Sequence, residues 1–418
     1  TVGGCGPGSP DASPPSSQLF PTDFPEPPGR ALQVEDYYRV RKLRAALVSP
    51  DGDWVTYALA LPMEETNGDT HSVWIVPTDA SAGPRHVLHD GAEVMAPTWA
   101  EDGRLHYSAE GRWSIDPADP SARPMAEGPP LDPGNLSPDG SWVATVEDTP
   151  GREVAAPAHS PFEVRHEERF RGVQFDWLNF QRDGAPFPAP DPTANPPREI
   201  VITPVEEGAA LEGDVTTEAR VLTELGLRPG TPVWHPGSQL LAFTADPNWQ
   251  EEVLYGRPDV WLAKVDGELV RVTDDGWSYG SLAFSPDGRF LSYTGGFGTD
   301  MVKEAAMNHG GPRDLFLAPV EGGVPINLTA DWDLQPGAPE WTHAGDFLRF
   351  NAGIGGNAHL FGVPADGGYV EQVTIGDRRL AAFSFSDDDL VMAFTSTDAV
   401  TPTELYVASG DGSTEQKA

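Results

Sequence analysis

A four-residue phrase, Ser-Pro-Asp-Gly, occurs three times in the chain, at residues 49–52, 137–140 and 285–288. Pro followed by Asp-Gly is a tight-turn signal, because Gly adopts a positive φ without steric cost. The residues after each phrase are rich in β-formers, as in Phe-Leu-Ser-Tyr at 290–293. Each copy therefore predicts a turn followed by a β-strand.

Four looser copies follow the same rule, and they lie at residues 99–103, 234–237, 341–345 and 386–389. Each copy also has a second half, in which an apolar strand, a small-residue turn and a short strand follow in order. The short strand often ends in Thr, as at Thr273, Thr329 and Thr374. A repeated unit of about four antiparallel strands is the signature of a β-propeller. The sequence thus predicts an all-β fold, a seven-bladed β-propeller with four-stranded antiparallel blades.

The spacing of the copies predicts one large insertion. The distance from Gly140 to Gly237 is nearly twice that from Gly52 to Gly103. The third unit is therefore expected to contain an insertion at about residues 147–198. The composition, with 45 Gly and 43 Pro, agrees with many short elements joined by turns.

The N-terminal segment differs from the repeats. Residues 1–30 are rich in Gly, Pro and Ser and predict a flexible tether before the propeller at 31–418. Small residues before the lone Cys5 resemble the end of a bacterial lipoprotein signal, which would make Cys5 a lipid attachment site. The alternative is an incidental thiol in a disordered N-terminus. At the other end, the chain stops inside the last predicted strand, which suggests a cut or processing site at a domain junction.

The net charge of -37 restricts the possible partners. Such a field repels phosphate backbones and anionic lipid, so nucleic acid and the membrane surface are not expected to bind. Membrane association is predicted only through Cys5. The histidines are scattered and no phosphate-binding glycine pattern is present, so neither a metal nor another cofactor is predicted.

Several stretches resemble the propeller of the prolyl oligopeptidase family of serine peptidases, in the style of its acylaminoacyl-peptidase and dipeptidyl-peptidase branches. They read VEDYYRVRKLRAALVSPDGDWVTYAL, FSPDGRFLSYTG and TELYVASGDG. The last usually stands just before the family's α/β-hydrolase domain. TolB-like propellers use the same Ser-Pro-Asp-Gly turn, but the Tyr37-Tyr38 opening and the closing phrase favour the peptidase family.

The resemblance implies that catalysis and substrate gating belong to two different domains. The family's catalytic Ser, Asp and His lie in the C-terminal hydrolase domain, with the Ser at a nucleophile elbow. That domain is expected to be absent from this chain, to which no elbow, triad or other catalytic residue is assigned. The chain would then be the non-catalytic, substrate-gating part. Its partners would be the α/β-hydrolase catalytic domain or chain and a short peptide substrate.

The insertion contains the candidate substrate-binding residues, which are Arg165, Glu167, Glu168, Trp177 and Arg182. In the dipeptidyl-peptidase branch a Glu pair on a propeller insertion binds the free amino terminus of the peptide. The resemblance gives Glu167 and Glu168 that role, since two carboxylates suit an ammonium group. The alternative is a solvated charged turn or short helix with local ion pairs. Trp177 would line a side-chain pocket or pack the insertion onto the ring.

The leading functional prediction is the propeller of a secreted or envelope serine peptidase that cleaves short peptides. The location would be bacterial and periplasmic, outer-membrane-anchored or extracellular. The alternative is a TolB-like envelope protein-binding propeller without enzymatic activity. A weaker third hypothesis is a propeller lyase acting on acidic sugars, which the negative charge disfavours.

Overall fold

The computed structural model describes residues 33–119, 123–128, 136–148, 160–170, 196–205, 219–247, 249, 257–297 and 313–418. Over these residues the chain is nearly all-β, and the helices account for about 4% of its length. The helices described are a 3-10 helix at Val34–Arg39 and α1 at Pro161–Phe170. Within the described ranges, no helix is long and apolar enough to cross a membrane.

The first strands in chain order are β1 (Lys42–Val48), β2 (Trp54–Met63), β3 (Gly68–Pro77), β4 (Arg85–Val87), β5 (Met95–Trp99), β6 (Leu105–Ser108), β7 (Arg112–Ile115), β8 (Met125–Gly128), β9 (Trp142–Asp148), β10 (Arg198–Pro204), β11 (Arg220–Val221), β12 (Val233–Trp234) and β13 (Leu240–Ala245). The remaining strands are β14 (Asp259–Lys264), β15 (Leu269–Arg271), β16 (Ser278–Phe284), β17 (Phe290–Gly296), β18 (Arg313–Pro319), β19 (Ile326–Asn327), β20 (Glu340–Trp341), β21 (Phe347–Ile354), β22 (Asn357–Pro364), β23 (Glu371–Gln372), β24 (Arg379–Phe385), β25 (Val391–Thr397), β26 (Glu404–Ser409) and β27 (Glu415–Lys417).

The chain divides into two compact units, Thr1–Pro130 with Gly376–Ala418, and Leu131–Ile375. In the first unit, β1–β4, β5–β8 and β24–β27 each pair antiparallel in chain order. In the second, β12–β15, β16–β19 and β20–β23 do the same. The predicted four-stranded antiparallel unit is thus confirmed.

The sheet β9–β11 departs from this pattern. Among the described residues, a single bridge between Leu136 and Val143 stands where the other sheets have a first strand, beside the pairs β9–β10 and β10–β11. Asp148 lies opposite Arg198, so the chain leaves this sheet at the end of β9 and returns at the start of β10. Helix α1 belongs to the segment between them, where the insertion is predicted.

The core lies between successive sheets, because their strands are buried on both faces. Successive side chains of a strand point to opposite faces, yet Ile200, Val201 and Ile202 of β10 are all buried. Ile200 and Ile202 pack with Leu241 and Phe243 of β13 in one cluster. Runs of Val, Ile, Leu and Phe in the repeats therefore form sheets that need a neighbour on each side.

The Ser-Pro-Asp-Gly phrase forms one hydrogen-bonded turn. In the copy between β16 and β17, the Ser285 hydroxyl donates to Asp287 Oδ1 (2.7 Å) and accepts from the Phe290 amide (3.0 Å). Asp287 Oδ1 also accepts from the Arg289 amide (3.0 Å). The same bonds recur at Ser49, Ser137 and Ser386.

Successive turns also contact one another within each unit. The Asp387 amide donates to the Pro50 carbonyl (3.0 Å), and the Asp139 amide donates to the Ser238 hydroxyl (3.0 Å). His235 Nε2 lies 2.9 Å from the Gly288 carbonyl. The phrase repeats because each copy both closes a hairpin and fits against the next copy.

The Asp287 carboxylate gives this turn a defined pH dependence. The Arg289 amide, the Ser285 hydroxyl and the Arg289 side chain together hold the pKa of Asp287 at about 2. A carboxyl whose folded pKa lies below its unfolded value stabilises the fold above the unfolded value. We expect this contribution to be lost as pH falls from about 4 towards 2. NMR titration of Asp287 should show the low pKa, and Ser285→Ala should raise it.

A second repeated feature explains the Thr that follows several of the short strands. The Thr329 hydroxyl donates to Asp314 Oδ1 (2.9 Å) and accepts from the Leu315 amide (2.9 Å). The same clamp joins Thr273 to Asp259 and Thr223 to Glu199. We call this arrangement the threonine clamp. It satisfies a buried backbone amide and a buried carboxylate with one side chain.

Candidate functional site

The connections between the second and third strands distinguish one end of the sheets. The Ser-Pro-Asp-Gly turns lie at the opposite end, between the first and second strands. The pairs Ala245–Asp259 and Gly296–Arg313 mark where the chain leaves and re-enters two sheets, with long intervening segments. In β9–β11 the same connection includes α1. Because loops on a rigid scaffold provide most binding residues, this end is the candidate functional end of each sheet.

Helix α1 contains three of the five predicted binding residues. Glu167 and Glu168 lie in its last turn, and Arg165 is exposed. Arg165 and Glu168 are three positions apart, which places them on one side of the helix.

Three of the predicted residues fall in parts of the chain that are not described. Trp177, Arg182 and Cys5 lie outside the described residues. Two apolar side chains of α1, Phe162 and Val164, are exposed.

One match to the nucleophile-elbow pattern was missed in the sequence, and the structure explains why it is not an elbow. Residues 276–280 read Gly-Trp-Ser-Tyr-Gly. An elbow places its Ser on a sharp turn between a strand and a following helix. Ser278 is instead the first residue of β16, where it pairs with Gly296. The flanking Tyr279 donates its hydroxyl to Asp275 (2.8 Å), so the stretch is a strand start stabilised by an aromatic residue.

A basic and acidic cluster at the start of β1 was also missed. Asp69 of β3 lies 3.3 Å from Lys42 Nζ and 3.2 Å from an Arg44 amino group. Lys42 also donates to the Tyr37 hydroxyl (3.0 Å). The signal that could have revealed the cluster is the run Arg-Val-Arg-Lys-Leu-Arg at 39–44 in a strongly acidic chain.

Hydrogen bonds fix the charge states of this cluster. The Tyr37 hydroxyl, and then Asp69, hold the pKa of Lys42 above its usual value, despite some burial. Burial raises the pKa of Asp69, but the hydrogen bonds and charges of Lys42 and Arg44 outweigh it, so the pKa is lowered. Lys42 and Asp69 therefore both stay charged at neutral pH.

Two of the histidines act in packing. His86 stacks on Trp74 with ring centroids 4.6 Å apart, and burial lowers its pKa. His89 Nδ1 lies 3.1 Å from the Tyr107 hydroxyl, and its ring lies against Trp113. Within the described ranges, no three His, Cys, Asp or Glu residues are grouped so as to hold a metal ion.

Among the described residues, cavities are found beside strands of both units. One, of about 340 Å³, lies beside β26 and β27, where Thr78, Leu390 and Gln416 line it. The other, of about 240 Å³, is lined by Ile326, Trp332 and neighbouring residues. Their linings contain none of the predicted substrate-binding residues.

Comparison with known proteins gives a fold likeness at low sequence identity. The chain is similar to an acylaminoacyl peptidase from Pyrococcus horikoshii, with a TM-score of 0.56 and 14% identity, over 91% of this chain and 53% of that one. It is similar to the β-propeller domain of the Trilobed protease from Pyrococcus furiosus, with a TM-score of 0.52 and 12% identity, over 90% and 97% of the chains. It is also similar to an oligogalacturonate lyase in complex with manganese, with a TM-score of 0.52 and 16% identity, over 87% and 88%.

No family model and no curated protein matches the sequence. The chain spans about half the length of the acylaminoacyl peptidase that it resembles. At these identities the likeness concerns the fold, which peptidases and a lyase share. The repeated four-stranded antiparallel sheets and these neighbours together identify the fold as a β-propeller, of the kind found in an acylaminoacyl peptidase and in an isolated protease propeller domain.

Proposed function

We propose that the chain is the substrate-gating propeller of a serine peptidase of the prolyl oligopeptidase family. The observation that supports this most is the extent of the likeness. It covers nearly all of this chain, about half of an acylaminoacyl peptidase and almost all of an isolated protease propeller domain. The remaining half of such a peptidase would be the α/β-hydrolase partner. We propose seven blades, one for each copy of the turn.

In this proposal the propeller performs no bond cleavage. The acyl transfer to a serine, with a histidine base and an oxyanion hole, takes place on the hydrolase domain. The propeller limits access to peptides short enough to reach that site. The strand-start position of Ser278 supports the assignment of the nucleophile to another domain.

The carboxylates of α1 would hold the amino terminus of the substrate. Glu167 and Glu168 are adjacent, and Arg165 lies on the same side of the helix as Glu168. Charge-assisted hydrogen bonds from an ammonium to two carboxylates are strong and directional. Trp177 and Arg182, from the same insertion, would complete the pocket.

The location would be the bacterial envelope or the exterior. Cys5 would be the lipid attachment site, and the tether at 1–30 would separate the membrane from the propeller. The low number of cysteines agrees with a chain that does not depend on disulfides for stability. The protein-binding, TolB-like alternative would use the same fold without a hydrolase, and no contact described above favours it.

The lyase alternative shares the fold but not the electrostatics. A polyanionic sugar would approach a protein with a net charge of -37, and that field disfavours it. The fold likeness to the lyase is equal in TM-score to that of the protease propeller domain. The fold therefore does not distinguish a peptidase propeller from a lyase, and the chemistry of the site has to do so.

A fluorophosphonate serine-hydrolase probe tests the main proposal. The native preparation is labelled, resolved on a denaturing gel and mapped by mass spectrometry. We expect label on a hydrolase segment that continues this chain or co-purifies with it. Label on Ser278, abolished by Ser278→Ala, would contradict the proposal. An intact protein with no label at all would favour the binding-module alternative.

The substrate role of α1 gives a separate prediction. In the active peptidase, Glu167→Gln with Glu168→Gln should raise KM for peptides with a free amino terminus about tenfold or more, because an ammonium loses both charged partners. N-acetylated peptides should show no change. The matched control is Glu64→Gln with Glu65→Gln, an exposed carboxylate pair in the β2–β3 turn. An equal effect on both kinds of peptide would contradict the role.

A further inference from the structure

The stretch 39–44 is an exception to the charge of the chain. Four of its six residues are Arg or Lys, in a protein with 27 Lys and Arg against 64 Asp and Glu. It joins the 3-10 helix to β1, since Arg39 ends the helix and Lys42 begins the strand. The protein as a whole repels anions, so a single anionic group can be held only where cations concentrate locally.

Asp69 fixes two of these cations side by side. It contacts Lys42 Nζ and an Arg44 amino group, through different carboxylate oxygens. One carboxylate against two cations leaves this group with a net positive charge. The guanidinium has five N–H donors, and the contact with Asp69 uses one amino group. The second N–H of that amino group, together with an N–H of the other amino group, can form the two parallel bonds that a second carboxylate accepts.

Arg44 lies at a bulge that directs it away from the sheet. The register between β1 and β2 shifts between Leu43 and Ala45, so Arg44 has no residue opposite it. Bulges re-aim a side chain out of the regular ladder. The Arg44 side chain is 54% exposed, against 23% for Asp69. The Asp69 carboxylate is therefore largely covered, whereas the Arg44 guanidinium faces solvent.

On the described neighbouring strands of the same unit, the positions equivalent to Arg44 carry no acidic residue. β24 adjoins β1, and the Val48 amide donates to the Ser384 hydroxyl (3.0 Å). Positions on the three strands can be matched by counting back from the turn that follows each strand. The residues equivalent to Arg44 are then Met95 on β5 and Ala381 on β24. The residue equivalent to Lys42 on β24 is another cation, the exposed Arg379. Glu93, its equivalent on β5, is bound to His71 at 3.0 Å.

A purely structural role explains only part of the cluster. Attachment of the 3-10 helix to β1 accounts for the contact between Lys42 and Tyr37. It does not require a second cation on Asp69. It also does not require that more than half of the Arg44 side chain be exposed.

We propose that Arg44 and Lys42, supported by Asp69, bind the C-terminal carboxylate of a short peptide. This deepens the proposed function, on which it rests for the substrate class. The group lies at the end of its sheet that also holds the connections between second and third strands. A peptide bound there is recognised through one terminal charge, whatever its side chains.

Calorimetry with the full chain tests the proposal without any hydrolase activity. The probes are N-acetyl-trialanine as the free acid and as the amide, in low-salt buffer. We expect the acid to bind at least tenfold more tightly than the amide. Arg44→Gln should remove that difference, and Arg44→Lys should restore only part of it, because the charge remains but the planar fork is lost.

The matched control is Arg289→Gln, an exposed arginine that pairs with Asp287 at the opposite end of its sheet. It should leave binding unchanged. Equal binding of acid and amide, or an equal loss in Arg289→Gln, would overturn the proposal. So would displacement of the peptide by inorganic phosphate at equal concentration, which would indicate a general anion site. Circular dichroism and the melting temperature of each variant show that it is folded.

The carboxylate-site proposal and the proposed function can fail separately in these experiments. The acetyl group removes the amine, so the α1 carboxylates do not contribute to binding of the probe. A serine-hydrolase label with no acid–amide difference would retain the peptidase proposal and reject the carboxylate site. An acid–amide difference without a serine-hydrolase label would retain the carboxylate site and reject the peptidase proposal.

Discussion

Thr329→Val is expected to lower the free energy of unfolding by about 2–4 kcal/mol, although it changes neither the size nor the branching of the side chain. Thr329 is 1% exposed and its hydroxyl serves two buried groups, Asp314 Oδ1 and the Leu315 amide. Valine leaves both without that partner in a region closed to water. The urea midpoint should fall, and exchange of the Leu315 amide proton should accelerate.

Thr374→Val is the control for the part of this stability loss that comes from the buried carboxylate. Thr374 accepts from the Leu360 amide (2.9 Å), but its other neighbour is His359 Nδ1 at 3.4 Å instead of a carboxylate. Removal of the hydroxyl then leaves no buried carboxylate short of a donor, and the loss should be roughly 1–2 kcal/mol. If the two variants lose the same stability, the carboxylate is not the source of the larger cost.

Gly288→Ala should also destabilise the protein strongly, by roughly 2–4 kcal/mol. Gly288 has φ +72°, a conformation that alanine disfavours, and an added Cβ would lie 2.2 Å from His235 Nε2. The imidazole cannot move freely. It is bonded to the Gly288 carbonyl through Nε2 and accepts the Gly237 amide at Nδ1 (2.9 Å). Relief of the clash would break these bonds.

Gly140→Ala separates backbone strain from the clash. Gly140 occupies the same place in another copy of the turn, also at φ +72°, and its added Cβ would meet nothing within 4 Å. It should cost about 1–2 kcal/mol, the strain of the left-handed conformation alone. The two variants are compared by the same chemical denaturation. Equal losses would mean that the contact between successive turns contributes nothing to stability.

The two ends of the sheets have different tasks. At one end the turns interlock through Pro50, Ser238 and Gly288, and their sequence is restricted by geometry. At the other end of its own sheets, each unit holds residues that are not required for pairing: α1 in the second unit, and the group of Lys42, Arg44 and Asp69 in the first. Function is expected where the repeat is broken, because those residues satisfy no structural rule of the repeat.

The missed pattern at 276–280 shows why a motif needs its structural context. The same five letters can describe a nucleophile elbow or the beginning of a strand. Here Ser278 pairs with Gly296 and continues into β16, so no turn raises its hydroxyl above the sheet. Sequence alone does not contain that difference, because it depends on which strand the segment joins.

The candidate site was only partly predictable. The Glu167–Glu168 pair could be read directly, since adjacent acids and the nearby arginines are local features. Asp69 is distant in sequence from Lys42 and Arg44, and only the pairing of β1–β2–β3 brings it to them. No local pattern reports a contact between residues on the first and third strands of a sheet.

The sequence by itself determined the repeating unit: the turn, the four-stranded antiparallel sheet and the terminal Thr all follow from local conformational preference and alternation of apolar residues. The partner of that Thr, the contact of His235 with the next turn and the two cations on Asp69 were decided only by the tertiary structure. The physical reason is the distance along the sequence over which each kind of interaction acts. Backbone preference acts within a few residues, whereas hydrogen bonds and charges act between whichever strands the fold places side by side.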